Sequence, residues 1–232
     1  MRRVIFVIPF LLLGMPAAAQ QRAQTAPAAP PAQGGTAQAQ PAQAQESPTP
    51  ENAAAIEGFR SARFGMTETE TRAAIRRDFA QAAERIASEQ TPVERTQVLT
   101  LNVPDLIPDA GTARVSYILG HRSKRLIQVT ILWGPPADAS ARPEALVNAA
   151  EALRAHFSSL AWRAGSVAGG ITLADGSTLV FRGLDEKGRM AQLQVLPGPP
   201  SAGPGPRPFG LRLAYVADPM NPDVFRLQRG QF

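Results

Sequence analysis

Leu99-Thr100-Leu101-Asn102-Val103, Val115-Ser116-Tyr117-Ile118-Leu119 and Ile127-Gln128-Val129-Thr130-Ile131-Leu132-Trp133 each carry large apolar residues at every second position. Successive side chains of a strand point to opposite faces, so this period of two predicts three strands with one buried face. Gly120-His121-Arg122-Ser123-Lys124 separates the last two as a short hairpin loop, and Gly134-Pro135-Pro136 closes the block. The three runs therefore read as an antiparallel meander.

A helix is predicted ahead of the meander. Thr67-Glu68-Thr69-Glu70 has capping-box spacing, in which the hydroxyl and the carboxylate each accept from the other residue's backbone N–H. Ile75, Phe79, Ala82 and Ile86 then recur at i, i+4, i+7 and i+11 and line one helical face, with Thr91-Pro92 as the expected end. The order repeats downstream. Pro143 suits the first turn of a second helix, whose Leu146, Ala150, Leu153 and Phe157 have the same spacing. Trp162 is placed on a short strand. Ile171 to Ala174 and Thr178 to Arg182 flank the Asp175-Gly176 hairpin signal. Arg189 to Leu196 and Phe209, Leu211, Leu213 and Tyr215 complete the strands, with a Pro/Gly loop from Pro197 to Pro208. A shift of 64 positions lays Tyr117 on Phe181, Arg125 on Arg189, Gln128 on Gln192 and Gly134 on Gly198 without a gap. The expected fold is α+β: tandem helix-plus-antiparallel β-meander repeats after a disordered N-terminal segment, over about 57–134 and 140–217 of a domain at 57–217.

The flanks set the compartment. Arg2 and Arg3, the apolar run Val4 to Leu13 and Ala17-Ala18-Ala19 read as a secretory signal over 1–19, cleaved before Gln20. The run is too short to cross a bilayer of about 30 Å, so the mature chain is expected to be periplasmic or secreted, with no transmembrane segment. Residues 20–56 are rich in Ala, Gln, Pro, Thr and Gly and read as a disordered linker; 218–232 reads as a C-terminal tail. There is no cysteine, so the domain is held by its core without disulfides. The net charge of +5 falls to +3 without Arg2 and Arg3. An arginine-rich, lysine-poor composition of this kind fits GC-rich codon usage better than nucleic-acid binding, which gathers charge and aromatics on one face.

Phe64-Gly65-Met66-Thr67 with Glu70, ahead of Ala74-Ile75, forms a small apolar turn that opens the first helix. With two helix-then-meander units behind an export signal, the chain resembles β-lactamase-inhibitor-protein-like domains, and each unit is similar to that of small outer-membrane assembly lipoproteins. The likeness covers roughly 59–217. It implies a protein-binding module and transfers no functional residue. The absence of cysteine departs from both the lipoprotein form and the disulfides of secreted inhibitors.

The chemistry-bearing residues point to no reaction. His121 and His156 are the only histidines, one in a turn and one on a helix, and zinc needs three or four ligands, so no metal site is expected. There is no Gly-x-Ser-x-Gly elbow, and Gly165 to Gly170 lacks a phosphate-loop lysine. No catalytic residue and no cofactor are assigned. Two surfaces remain. Arg122, Lys124 and Arg125 beside His121 suit an anionic partner (an envelope protein or another anionic envelope component), against the alternative of a merely solvated turn. Leu106 and Ile107, bracketed by Pro104 and Pro108, are either a contact knob or a cap on the open end of the core, and the balance favours the cap. The expected function is an exported, non-enzymatic binding or envelope-assembly module. The alternative is a small periplasmic, hydrolase-like enzyme whose site does not show in sequence.

Overall fold

The computed structural model of this chain describes residues 52–135, 137–198 and 209–227. The signal over 1–19, the linker up to residue 51, most of the Pro/Gly loop and the last residues of the tail lie outside them.

The first helix, α1 (Glu68–Asp78), starts as its sequence dictates. Thr67 Oγ1 accepts from the Glu70 N–H at 3.3 Å and Glu70 Oε2 accepts from the Thr67 N–H at 2.8 Å. It ends earlier than the apolar spacing predicts. Phe79 leaves the helical region (φ −143°, ψ 53°) and stacks on Phe59, with the Arg60 guanidinium over its ring at 4.9 Å. Ala82 and Ile86 thus fall outside the helix, in and around a 3-10 turn at Ala83–Arg85. Where the helix was expected to continue, Ala87–Gln90 forms a fully exposed edge strand. The second helix, α2 (Pro143–Ser158), begins at Pro143 and buries Leu146, Ala149, Ala150 and Phe157.

Among the described residues the main sheet has eight antiparallel strands. We number them after a small hairpin, β1 (Gly58–Phe59) and β2 (Ala62–Arg63). They are β3 (Ala87–Gln90), β4 (Gln97–Val103), β5 (Ala113–Leu119), β6 (Leu126–Trp133), β7 (Ile171–Thr172), β8 (Thr178–Leu184), β9 (Met190–Pro197) and β10 (Phe209–Val216). Their spatial order is β3-β4-β5-β6-β10-β9-β8-β7. From either edge the order runs inward through a meander to its last strand, and β6 and β10 pair at the centre, Leu213 opposite Ile131. This order corrects the 64-residue alignment. That shift lays β5 and β6 on β8 and β9, whereas the strands in the corresponding places are β9 and β10.

One face of the sheet is the core. Leu101, Val115, Ile131, Leu213, Leu193 and Phe181 form a continuous cross-strand row, all buried. Both helices cover this face: Ile75 and Phe79 from one side and Leu146 and Phe157 from the other join the same cluster. Phe157 stacks on Phe181 at 5.5 Å, and Tyr215 meets both Phe157 and Phe59. The opposite face carries the row Thr100, Ser116, Thr130, Ala214, Gln192 and Arg182. Trp162 sits beside an isolated pairing of Ala161 with Ala53 rather than on a regular strand.

That pairing corrects the linker boundary. Residues 52–56 are part of the packed domain. The Ala54 N–H donates to Ala161 O at 2.7 Å, and Ala54 and Ile56 are buried. The Ile56 N–H donates to Asp185 Oδ2 at 3.0 Å, while Asp185 Oδ1 accepts from the Arg189 N–H at 2.8 Å. Further along, the Ser61 N–H donates to Asp78 and the Gly65 N–H to Leu126 O. Residues 52–65 therefore form a strap from the end of α2 to the start of β6. Its partners lie more than 100 residues away in sequence at one end, which is why local composition hides it.

Candidate functional site

The β5–β6 turn lies at the same end of the sheet as the β3–β4 turn, the β8–β9 turn and the exit of β10, as the strand registers require. We call this the turn end. The turn closes through the Gly120 N–H to Arg125 O at 2.8 Å and the Lys124 N–H to Gly120 O at 3.2 Å. Lys124 adopts a left-handed conformation (φ 54°), a region that glycine or asparagine fills more cheaply. Arg122, Lys124 and Arg125 are all exposed. They are not equivalent. Arg125 Nη1 donates to Gly65 O at 2.8 Å, which ties this side chain to the turn before α1. Lys124 has no ion pair among the described residues.

The residues that hold this turn were not legible as a site. After β10 the chain crosses beneath the β5–β6 turn. Asp223 Oδ1 accepts from the Arg122 N–H at 3.0 Å and Oδ2 from the Ser123 N–H at 2.8 Å, and Asp223 O accepts from the His121 N–H. Partial burial pushes the Asp223 carboxyl up. The Ser123 hydroxyl, the two amides and the Arg122 charge together outweigh this and hold it below the usual aspartate value. Two residues on, the Phe225 N–H donates to Glu94 O at 2.8 Å. Its ring lies under the Arg95 guanidinium, 3.7 Å from the centroid, and edge-on to His121 at 5.5 Å. Desolvation raises the Glu94 carboxyl. The segment expected to be a plain tail is thus a clamp, at least as far as Phe225.

Gly120 makes the clamp possible. A Cβ there would sit 2.2 Å from Asp223 Oδ2 and 2.7 Å from Ser123 Oγ. The sequence signal was available only in hindsight: an acidic residue in a Pro-rich exit segment and an Arg in the β3–β4 turn, neither linked to the hairpin by local spacing.

Leu106 and Ile107 lie elsewhere. The β4–β5 loop that carries them is at the opposite end of the sheet, and both are half-buried against the core. Asp105 and Asp109, which flank them in left-handed conformations, are at that end too, far from His121. The structure therefore separates the two expected contact surfaces and packs Leu106 and Ile107 partly against the core.

The sheet's aromatic side chains, Tyr117, Trp133, Phe181, Phe209 and Tyr215, all pack in or against the core cluster. The other face offers hydroxyl, amide and guanidinium groups, with Thr100 and Ser116 bonded across strands at 3.3 Å and Arg212 Nε donating to Gln194 at 2.9 Å. A shallow open depression between α1 and the Ala83–Arg85 turn is lined by Arg72, Arg76, Ala80, Ala83, Glu84 and Ile86. Arg72 is already paired with Glu68 at 2.8 Å. Among the described residues no helix is long and apolar enough to cross a membrane. No family model, no curated protein and no solved structure matches this chain.

Proposed function

We propose that this protein is an exported, non-enzymatic binding or envelope-assembly module that holds an anionic partner at the β5–β6 turn. The observation that carries this reading is the pairing of a fixed backbone with exposed cations. Asp223 consumes the turn's amide donors, while the Arg122 and Lys124 side chains stay exposed. A preorganised turn loses little entropy on binding. Export rests on the sequence reading of 1–19.

The domain plan in this reading is a tandem repeat, one helix followed by a meander, used twice and joined through β6 and β10. The strand order supports it, and so does the matching position of β4 and β8 as first long strands of their halves. The same plan is what the resemblance to β-lactamase-inhibitor-protein-like domains implies.

The test is capture from envelope extract with wild type and the double variant Arg122→Glu/Lys124→Glu. The proposal expects loss of the captured component with an unchanged melting curve, and weaker capture by wild type as salt rises, because exposed charges are screened over about 10 Å at 0.1 M. An identical profile for the double variant contradicts it.

A further inference from the structure

The three most exposed large apolar side chains among the described residues are Val93 (77%), Met220 (68%) and Leu227 (65%). All three belong to the turn end. Val93 is in the β3–β4 turn next to Glu94, whose carbonyl accepts from Phe225. Met220 lies in the exit from β10, where Asp218 Oδ1 accepts from the Met220 and Asn221 amides at 3.1 and 2.9 Å. Leu227 follows Phe225 by two residues. Exposed cations lie on the same end: Arg95, Arg122, Lys124 and Arg226.

Three acids near the β5–β6 turn are engaged or half-buried, while Glu186 on the β8–β9 turn is exposed. Asp218 and Asp223 accept backbone amides, and Glu94 is half-buried. Around the β3–β4 and β5–β6 turns and the exit from β10, the surface therefore presents aliphatic side chains and positive charge together. Water solvates the charges but disfavours the aliphatic groups, and an acidic protein surface matches only the charges. A bilayer with anionic headgroups matches both: methyl groups enter the headgroup–acyl boundary while arginine and lysine meet phosphate.

We propose that the turn end docks on an anionic lipid bilayer, with Val93, Met220 and Leu227 inserting and Arg95, Arg122, Lys124 and Arg226 pairing with headgroups. This rests on the reading of the β5–β6 turn as an anion-binding element and names its partner. The clamp ties two of the contributing segments together, because Phe225 packs under Arg95 and bonds to Glu94 O.

The experiment is vesicle flotation of the full chain with phosphatidylglycerol/phosphatidylcholine vesicles and with phosphatidylcholine alone. Val4 to Leu13 is apolar and identical in every variant, so the readout is the difference from wild type. The proposal expects Arg122→Gln/Lys124→Gln to lower binding to the anionic vesicles about 25-fold, roughly fivefold per cation. It expects Met220→Ser/Leu227→Ser to lower it by about tenfold or more. A local readout is Leu227→Trp with lipids brominated in the acyl chain. The added indole should be quenched by anionic vesicles and not by neutral ones.

An unquenched indole, or a serine pair that binds as wild type does, overturns the bilayer assignment. If the glutamine pair still loses an envelope protein while vesicle binding is unchanged, the partner is an acidic protein; the lipid proposal falls and the binding turn stands. If the glutamine pair changes neither vesicle nor envelope capture, both readings fall.

Discussion

Single residues at this protein's long-range contacts hold more than their neighbours do. Asp185 is 2% exposed and accepts from both the Ile56 and Arg189 amides, so it fixes the strap to the β8–β9 turn. Asp185→Asn turns an NH2 group toward a buried donor and should cost about 1–3 kcal/mol in denaturant unfolding; wild-type stability would show that the strap is not held there. Gly120→Ala drives a methyl group into the Asp223 carboxylate. It should leave the core intact and expose the segment after β10 to protease, whereas an equally resistant variant would contradict the clamp. Phe79→Ala and Phe157→Ala, which empty space beneath each helix, should each cost about 3–5 kcal/mol. These last two positions were readable from apolar spacing alone. Asp185, Gly120 and Asp223 were not, because their partners lie far away in sequence and no periodicity marks a carboxylate that binds backbone amides.

At the scale of elements, legibility followed the strength of alternation. β4, β5, β6, β9 and β10 were found within about two residues because each buries one face continuously. β3 escaped notice because Ala87–Gln90 is exposed throughout and has no apolar side to alternate. The first helix was overextended because apolar spacing continues past Phe79 although the backbone does not. The clamp titrates in two opposing ways. Asp223 has a lowered pKa, so its stabilisation is full above the ordinary aspartate range and is lost as pH falls through its folded value. Glu94 is raised, so its ionisation in the folded state weakens the clamp once pH rises past the ordinary glutamate range. The Arg122 and Ser123 amide NMR shifts should therefore hold steady near neutral pH and move together below about pH 4. Asp223→Asn should abolish that movement, and Glu94→Gln should tighten the clamp at neutral pH. Amide shifts that titrate near neutrality would assign the clamp to another group.

At the scale of the whole molecule, two meanders share one sheet and one core, and the strap and the clamp tie its ends across the halves. A common core predicts one cooperative transition. Trp133 on β6 and Trp162 beyond α2 report on different halves. Melting of Trp133→Phe, followed at Trp162, and of Trp162→Phe, followed at Trp133, should differ by a uniform stability offset, with coincident probes within each variant; biphasic curves would mean that the halves unfold separately. Which strands pair at the centre was not readable, since alternation identifies strands but not neighbours. The compartment and the anionic partner remain proposals, and the chain supplies a direct probe for the second. Lys124 and Lys187 are its only lysines. Lys124 stands on the β5–β6 turn, and Lys187, itself 64% exposed, lies on the β8–β9 turn beside Glu57 at 3.5 Å. Amine acetylation with and without envelope fraction, read by mass spectrometry, compares the two within one molecule. The account predicts that Lys124 labelling falls several-fold, and further than Lys187 labelling, and equal labelling of Lys124 in both conditions would contradict it.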